Sequence, residues 1–119
     1  MGENNAPEIW GPKLWAKIDK LAREYPKNAS EYDVEITFTK LWKIVNSIPC
    51  DYCKGHAITY ILNENNKVDL RSKNTFQKWV WTFHDSVNQR RKKSGYKTKE
   101  INYKQYLVMQ HMLEVKKKP

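Results

Sequence analysis

This chain of 119 residues is poor in cysteine, glycine and proline, with two, four and five of each. Two cysteines cannot build the disulfide framework of a small secreted protein. The few glycines and prolines argue against an all-β fold, which needs many tight turns. No apolar run approaches the roughly 20 residues that a membrane-spanning helix needs. These absences predict one helical domain, which we place at residues 1–119.

Positive charge is concentrated towards the end of the chain. Residues 89–119 hold 10 of the 22 Lys and Arg residues but only 2 of the 13 Asp and Glu residues. A basic segment of this kind is typical of a surface that meets nucleic acid or an anionic membrane. It is equally typical of a solvated surface that aids solubility. Its first cluster, Arg90 to Lys93, could instead hold the phosphates of a bound nucleotide.

Apolar residues recur at helical spacing in several segments of the sequence. We predict helices at residues 11–25, 33–48, 50–62, 74–92 and 102–115. In these helices Pro12 suits a first turn, while Val34 and Leu113 are expected to face inward. The predicted fold class is all-α: an antiparallel four-helix bundle plus a short fifth helix.

The two cysteines stand at redox spacing, in the sequence Cys-Asp-Tyr-Cys at residues 50–53. Two intervening residues place both thiols on one helical turn, where they can form a disulfide and exchange it. A helix start at Cys50 would stabilise its thiolate, and Cys53 would lie one turn deeper. The pair could instead bind zinc, because His56 and His84 of the predicted fourth helix would complete a set of four ligands.

A second unusual feature is a polar and aromatic stripe on the predicted fourth helix. Trp81, His84, Asn88 and Arg91 follow one another at spacings of three or four residues, so they share one side of the helix. An indole, an imidazole, an amide and a guanidinium in one row could grip a flat, polar, phosphorylated ligand. They could also be a core tryptophan and a core histidine whose hydrogen bonds are satisfied.

Three blocks of the sequence together resemble the Erv/ALR family of FAD-linked sulfhydryl oxidases. Residues 15–26 resemble the opening helix of that family, and residues 48–56 resemble its active-site segment. Residues 84–88, followed by Lys93, are similar to its His-Asn-x-Val-Asn flavin-binding signature. The blocks occur in the family's order over residues 10–96. The chain departs from the pattern at Asp19, where the family usually has histidine, and at Asp85, where it usually has asparagine.

The resemblance implies a four-helix bundle that holds FAD at one end and usually forms a homodimer. It makes Cys50 and Cys53 the catalytic pair, with Cys50 exchanging disulfides with substrate and Cys53 next to the flavin. The residues that would bind FAD are Gly11, Trp15, Asp19, Tyr25, Cys53, His56, Trp81, His84, Val87, Asn88, Arg91, Lys93 and Tyr96.

The short chain and its single redox pair most resemble the minimal oxidases of large nucleocytoplasmic DNA viruses, as does the opening Trp-Gly-Pro-Lys-x-Trp at residues 10–15. The resemblance implies that electrons pass from a dithiol substrate protein to oxygen and give hydrogen peroxide. Because the chain has no second cysteine pair to act as a shuttle, we expect the substrate to be a small redox protein with its own CxxC motif. The first residues lack signal-peptide features, so we expect the cytoplasm of an infected cell or the virion, with the mitochondrial intermembrane space as an alternative.

Two other functions stay open at this point. A basic helical module would bind nucleic acid through residues 89–119, with a steep dependence on salt. A zinc-stabilised interaction domain would bind stoichiometric zinc and would unfold in chelators. We expect neither nucleic acid nor a metal ion, because the resemblance accounts for the cysteines and for the stripe on the fourth helix.

Overall fold

The computed structural model describes residues 6–117, and within that range the chain is all-α, as predicted. The helices are α1 (Pro7–Arg23), α2 (Glu31–Asn46), α3 (Asp51–Leu62), α4 (Lys73–Lys93) and α5 (Tyr103–Lys117), with a short 3₁₀ helix at Glu64–Asn66. Two features named above lie outside the described residues. The signal-peptide argument concerns residues 1–5, and the last lysine of the basic segment lies in residues 118–119.

Two of the helices begin with a capping box. The Ser30 hydroxyl accepts a hydrogen bond from the Asp33 N–H at 3.1 Å, and the Asp33 carboxylate accepts one from the Ser30 N–H at 2.9 Å. Ser72 and Thr75 form the same reciprocal pair at the start of α4. Each cap satisfies backbone donors that the helix leaves unpaired and contributes about 1 kcal/mol. Because Ser30 is the cap, α2 begins at Glu31, two residues before the predicted start.

Helix α1 is the central element of the fold. It packs against α2, α4 and α5, whereas α3 packs against α2 and, through Tyr60, against Trp79 and Phe83 of α4. Its buried residues Leu14, Ile18 and Ala22 recur at helical spacing. The other buried apolar residues of the helices are Leu41, Val45, Ala57, Ile61, Phe76, Trp79, Val80, Phe83 and Tyr106. Helices α3 and α5 therefore both pack against α4.

The prediction that Pro12 begins the first helix is wrong. Pro7 occupies that first turn, and Pro12 lies inside α1. A proline has no N–H, so it leaves the carbonyl of Glu8 without its usual intrahelical hydrogen bond. Gly11 stands directly before it, which puts the two poorest helix formers side by side at this turn.

Two predicted inward residues are exposed instead. Val34 is 36% exposed and Leu113 is 40% exposed. Val34 lies in the first turn of α2, whereas the buried stripe of that helix starts one turn later at Thr37. Leu113 lies beyond Gln110, which hydrogen-bonds to Arg23 at the last residue of α1. The end of α5 therefore extends past the end of α1, and Leu113 has no α1 surface to cover it.

Candidate functional site

Helix α3 begins directly after Cys50, whose sulfur caps it. The backbone N–H of Cys53 donates a hydrogen bond to Cys50 Sγ at 3.3 Å. A serine or aspartate oxygen usually accepts this bond at a helix start. Tyr52, between the two cysteines, is 70% exposed, so the start of α3 is open to a protein partner. The prediction of a helix start at the first cysteine is confirmed, with Asp51 as the first helical residue.

The two thiols have opposite pKa shifts. Hydrogen bonds from Cys53, first from its backbone N–H, lower the pKa of Cys50. Burial, followed by the interaction with Cys50, raises the pKa of Cys53 to about 11. The positive charges of Arg90 and Arg91 act on Cys53 in the opposite direction. Cys50 is therefore the more readily ionised thiol and the better nucleophile near neutral pH.

This asymmetry predicts which cysteine of the reduced protein reacts first with iodoacetamide. Only the thiolate is nucleophilic, so at pH 7 we expect Cys50 to be alkylated at least about 100-fold faster than Cys53. As pH rises, the rate at Cys50 should level off first, because its pKa is lowered, whereas the rate at Cys53 should rise until about pH 11. Tandem mass spectrometry of quenched time points measures both rates. Equal rates at pH 7 would contradict the assignment.

The cysteine pair opens onto a cavity of about 890 Å³. This volume lies within the range of about 300–1,000 Å³ that is typical of small-molecule sites. All five helices contribute to its wall, together with the segment at 94–101 that joins α4 to α5. The structure thus brings most of the predicted site residues to one cavity. They are Gly11, Trp15, Asp19, Cys50, Cys53, Trp81, His84, Val87, Asn88, Arg91 and Tyr96.

Trp15 and His84 form a stacked pair in the cavity wall, with ring centroids 3.8 Å apart and planes within 11°. The edge of Phe83 packs against Trp15 at 5.3 Å and fixes its orientation. Burial lowers the pKa of His84 to about 4, so its ring is neutral at pH 7. Within residues 6–117 no hydrogen bond involves the His84 ring or the Asn88 amide. Both groups are therefore available to a polar ligand.

The C-terminus of α4 shapes one rim of the cavity. Gly95 has a φ of 91°, which suits glycine, and its N–H donates to the carbonyl of Lys92 at 3.0 Å. The N–H of Tyr96 donates to the carbonyl of Arg91 at 3.1 Å, which completes a Schellman motif. This turn places the Arg91 guanidinium 4.7 Å from the centre of the Tyr96 ring. The same guanidinium donates to the Glu8 carboxylate at 2.7 Å and joins the start of α1 to the end of α4.

Three predicted cofactor residues do not line this cavity. Tyr25 is buried in the core, where its hydroxyl donates to the carbonyl of Leu70 at 2.7 Å. His56 lines a separate hollow of about 200 Å³ and packs edge-on against Tyr52. Lys93 is exposed on the last turn of α4. A contact of these residues with FAD stays a prediction.

Other residues of the cavity were missed by reasoning from the sequence. Tyr106 comes from α5, and its hydroxyl donates to Asp19 Oδ1 at 3.1 Å. Lys97 and Lys99 bring further positive charge to the wall, beside Arg90, whose cluster the sequence already suggested as a phosphate site. The basic segment pointed to the region of Arg90, but nothing in a single sequence pairs Asp19 with a tyrosine 87 residues later. Covariation between the two positions in an alignment is the signal that could have found it.

Residues 6–117 contain neither a candidate metal cluster nor a candidate membrane span. No three His, Cys, Asp or Glu side chains are placed so that they could share a metal ion. No helix in this range combines the length and the hydrophobicity that crossing a membrane requires.

Comparison with known proteins gave consistent matches. Residues 12–107 match the Erv1/Alr family. Over 89 residues the chain is 34% identical to a predicted FAD-linked sulfhydryl oxidase of Invertebrate iridescent virus 6. The aligned stretch covers 71% of this chain and 80% of that protein. It is 30% identical over 84 residues to a FAD-linked sulfhydryl oxidase of African swine fever virus, covering 68% of this chain and 66% of that protein. A second isolate of that virus gives 28% identity over 81 residues.

Proposed function

The chain belongs to the Erv1/Alr family, and we propose from this premise that it is a FAD-dependent thiol oxidase that forms disulfide bonds in partner proteins. The observation that carries the proposal is the cysteine pair at the mouth of the cavity. Cys50 caps an exposed helix start, and Cys53 lies deeper, in the wall of a space large enough for a cofactor. One sulfur thus meets substrate while the other meets the bound group.

The cavity suits FAD by the chemistry of its wall. Trp15 and Trp81 offer aromatic surface for flat rings, and His84 and Asn88 offer polar groups without partners among the described residues. Arg90, Lys97 and Lys99 supply positive charge for phosphates. Beside Gly11 a Cβ atom would meet no atom within 4 Å, so the helix backbone itself leaves room for a ligand. We propose that these residues, with Arg91 and Tyr96 at the rim, hold the cofactor.

The chemistry of the protein is thiol–disulfide exchange at the start of α3. A substrate thiolate attacks Cys50 Sγ of the Cys50–Cys53 disulfide, a mixed disulfide forms, and Cys53 leaves with the electron pair of the broken bond. The second substrate thiolate then attacks its own half of the mixed disulfide and releases Cys50. The substrate has lost two electrons, and the cysteine pair has gained them. When bound, FAD would take up these two electrons and pass them to oxygen, giving hydrogen peroxide.

Burial decides which sulfur the substrate reaches. Cys53 is more deeply buried than Cys50, and burial is the main cause of its raised pKa. A high pKa makes Cys53 a poor leaving group, so a nearby positive charge should assist its release. Arg90 and Arg91 act in this sense, since both lower the pKa of Cys53. We propose that these two arginines favour the Cys53 thiolate on the cavity side.

The partners follow from the same chemistry. The substrate is a dithiol protein, and we propose a small redox protein with an exposed CxxC motif, because its second thiol must resolve the mixed disulfide. We also propose a homodimer, which the exposed apolar residues Tyr32, Val34 and Ile36 on α2 support. The similar proteins named above are viral, so we propose that this chain acts in the cytoplasm of an infected cell or in the virion.

A visible absorption spectrum tests the proposal. The purified protein, loaded with FAD if necessary, is expected to show bands near about 370 and 450 nm and about one FAD per chain. A variant with both Cys50→Ser and Cys53→Ser is the matched control and should bind FAD to the same extent, because the wall beyond the cysteines is intact. A wild-type protein that stays colourless after refolding with FAD contradicts the proposal.

A further inference from the structure

The side of the cavity next to α5 carries a fixed aromatic surface and one carboxyl group. Asp19, Trp81, Ile101, Tyr106 and Met109 line it. The Trp81 indole N–H donates to the carbonyl of Ile101 at 3.0 Å, so the indole is held against the segment that leads into α5. Apolar and aromatic walls around one acidic side chain form a site for a flat group that carries a hydrogen-bond donor.

A buried hydrogen-bond network holds Asp19 in place. Tyr106 donates to Asp19 Oδ1 at 3.1 Å, and the Gln110 amide donates both to the Asp19 carbonyl at 2.8 Å and to the Tyr106 hydroxyl at 3.1 Å. The Arg23 guanidinium in turn donates to Gln110 at 2.8 Å. Each of these bonds joins α1 to α5 or lies within α5, so the network fixes the carboxyl group relative to both helices.

One oxygen of this carboxyl group is left over. Within residues 6–117 no group donates a hydrogen bond to Asp19 Oδ2, whereas Oδ1 accepts one from Tyr106. This oxygen is not sealed in the core, because Arg23 Nε is the only buried side-chain polar atom without a partner in the described range, so Oδ2 is accessible to a hydrogen-bond donor. Because Asp19 lines the cavity, a ligand in the cavity can supply that donor.

The position of the cysteines decides which part of a dinucleotide lies here. The flavin must reach Cys53 on α3, which packs against α2 and, through Tyr60 stacked on Phe83, against α4, whereas α5 packs against α1 and α4. The other ring of FAD is then left for the α5 side of the cavity. That ring is adenine, which carries an exocyclic amino group as its hydrogen-bond donor.

We propose that Asp19 Oδ2 accepts a hydrogen bond from the exocyclic amino group of the adenine of FAD, so that Asp19 determines which purine the cavity accepts. The inference rests on the proposed function, because it concerns the cofactor of that function. It assigns Asp19 a hydrogen bond to the edge of the base.

The test compares FAD with the flavin dinucleotide that has hypoxanthine in place of adenine, in which a carbonyl oxygen replaces the amino group. Titrations that follow the quenching of flavin fluorescence are made at pH 8, above the raised pKa of Asp19 of about 6, where both oxygens accept hydrogen bonds. Wild-type protein is expected to bind FAD between about 10-fold and 100-fold more tightly than the hypoxanthine form, the range for a hydrogen bond to a charged group.

Asp19→Asn should change this preference. Its amide oxygen can still accept from Tyr106 while its NH₂ group donates to the carbonyl of hypoxanthine, so we expect the preference for FAD to disappear or reverse. FMN lacks the base, and its affinity should be the same in both proteins. Asp85→Asn removes the same charge from the α4 side of the cavity and should keep the wild-type preference for adenine.

The outcomes separate the two proposals. Equal affinity of the wild-type protein for the two dinucleotides overturns the inference and leaves the proposed function standing, as does an unchanged preference in Asp19→Asn. A wild-type protein that binds no flavin overturns the proposed function and the inference with it. The comparison in the wild-type protein needs no variant, so it decides the question even if Asp19→Asn does not fold.

Discussion

Cys53→Ser is expected to lower the rate of protein dithiol oxidation by at least about 1,000-fold, the scale of loss when a catalytic nucleophile is removed. Cys53 lies one helical turn deeper than Cys50, which caps the exposed start of α3, and Cys53 lines the cavity. Serine keeps the size of the side chain but cannot form a disulfide with Cys50. Without that disulfide Cys50 is a fully reduced thiol that cannot accept electrons from the substrate, so none pass to the bound FAD.

Oxygen consumption with a reduced CxxC protein as substrate measures this loss. Cys50→Ser should lose the same activity, because the two cysteines act as a unit. Both variants should keep the FAD content and the melting temperature of the wild-type protein. The matched control is Thr59→Ser, an exposed position on the same helix α3 that does not line the cavity. If Cys53→Ser retained a tenth or more of the wild-type rate, the proposed role of Cys53 as electron donor to FAD would be wrong.

Gly11→Leu is expected to weaken FAD binding by about 10-fold to 100-fold, while the stability of the protein without FAD changes little. Gly11 lies inside α1 and lines the cavity, and a Cβ atom there would meet no atom within 4 Å. In the empty protein a leucine would gain up to about 0.8 kcal/mol of helix propensity over glycine, and crowding of its Cβ by the ring of the following Pro12 would offset this gain. With FAD bound, the same side chain would compete with the cofactor, and overpacking costs about 1–3 kcal/mol.

Gly55→Leu is the matched control for this prediction. Gly55 also lies inside a helix, α3, and a Cβ atom there meets nothing within 4 Å, but Gly55 does not line the cavity. Without FAD, Gly55→Leu should melt at the same or a higher temperature and Gly11→Leu close to the wild-type temperature, and only Gly11→Leu should bind FAD more weakly. Fluorescence titration and thermal melting measure the two effects. Wild-type affinity for FAD in Gly11→Leu would show that the cofactor does not use the space beside Gly11.

Local patterns in the sequence were enough to predict the helices and the two main features of the site. Helical spacing identified all five helices, and cysteine spacing placed Cys50 at a helix start. The stripe of Trp81, His84, Asn88 and Arg91 was predicted from one helix alone, and the fold brings all four to the cavity. The helices and the shared face were predictable because the residues of each pattern are neighbours in the chain, where helix geometry fixes their relative positions; the roles of these residues at the site stay predictions.

Features that join distant parts of the chain could not be predicted in this way. The bond from Tyr106 to Asp19 and the ion pair of Arg91 with Glu8 span 87 and 83 residues. Leu113 was expected to be buried because its spacing fits α5, yet α1 ends too early to cover it. In each case the outcome depends on how long the helices are and how they pack, which a periodic pattern in one helix does not contain.

The most direct test of the central claim is to mix the FAD-loaded protein with a reduced CxxC protein in the absence of oxygen and to follow absorbance near about 450 nm. If Cys50 and Cys53 pass electrons from substrate to a cofactor in this cavity, the band should bleach with the wild-type protein and should persist with Cys53→Ser. Bleaching at the same rate in both proteins, or no bleaching in the wild-type protein, would contradict the account.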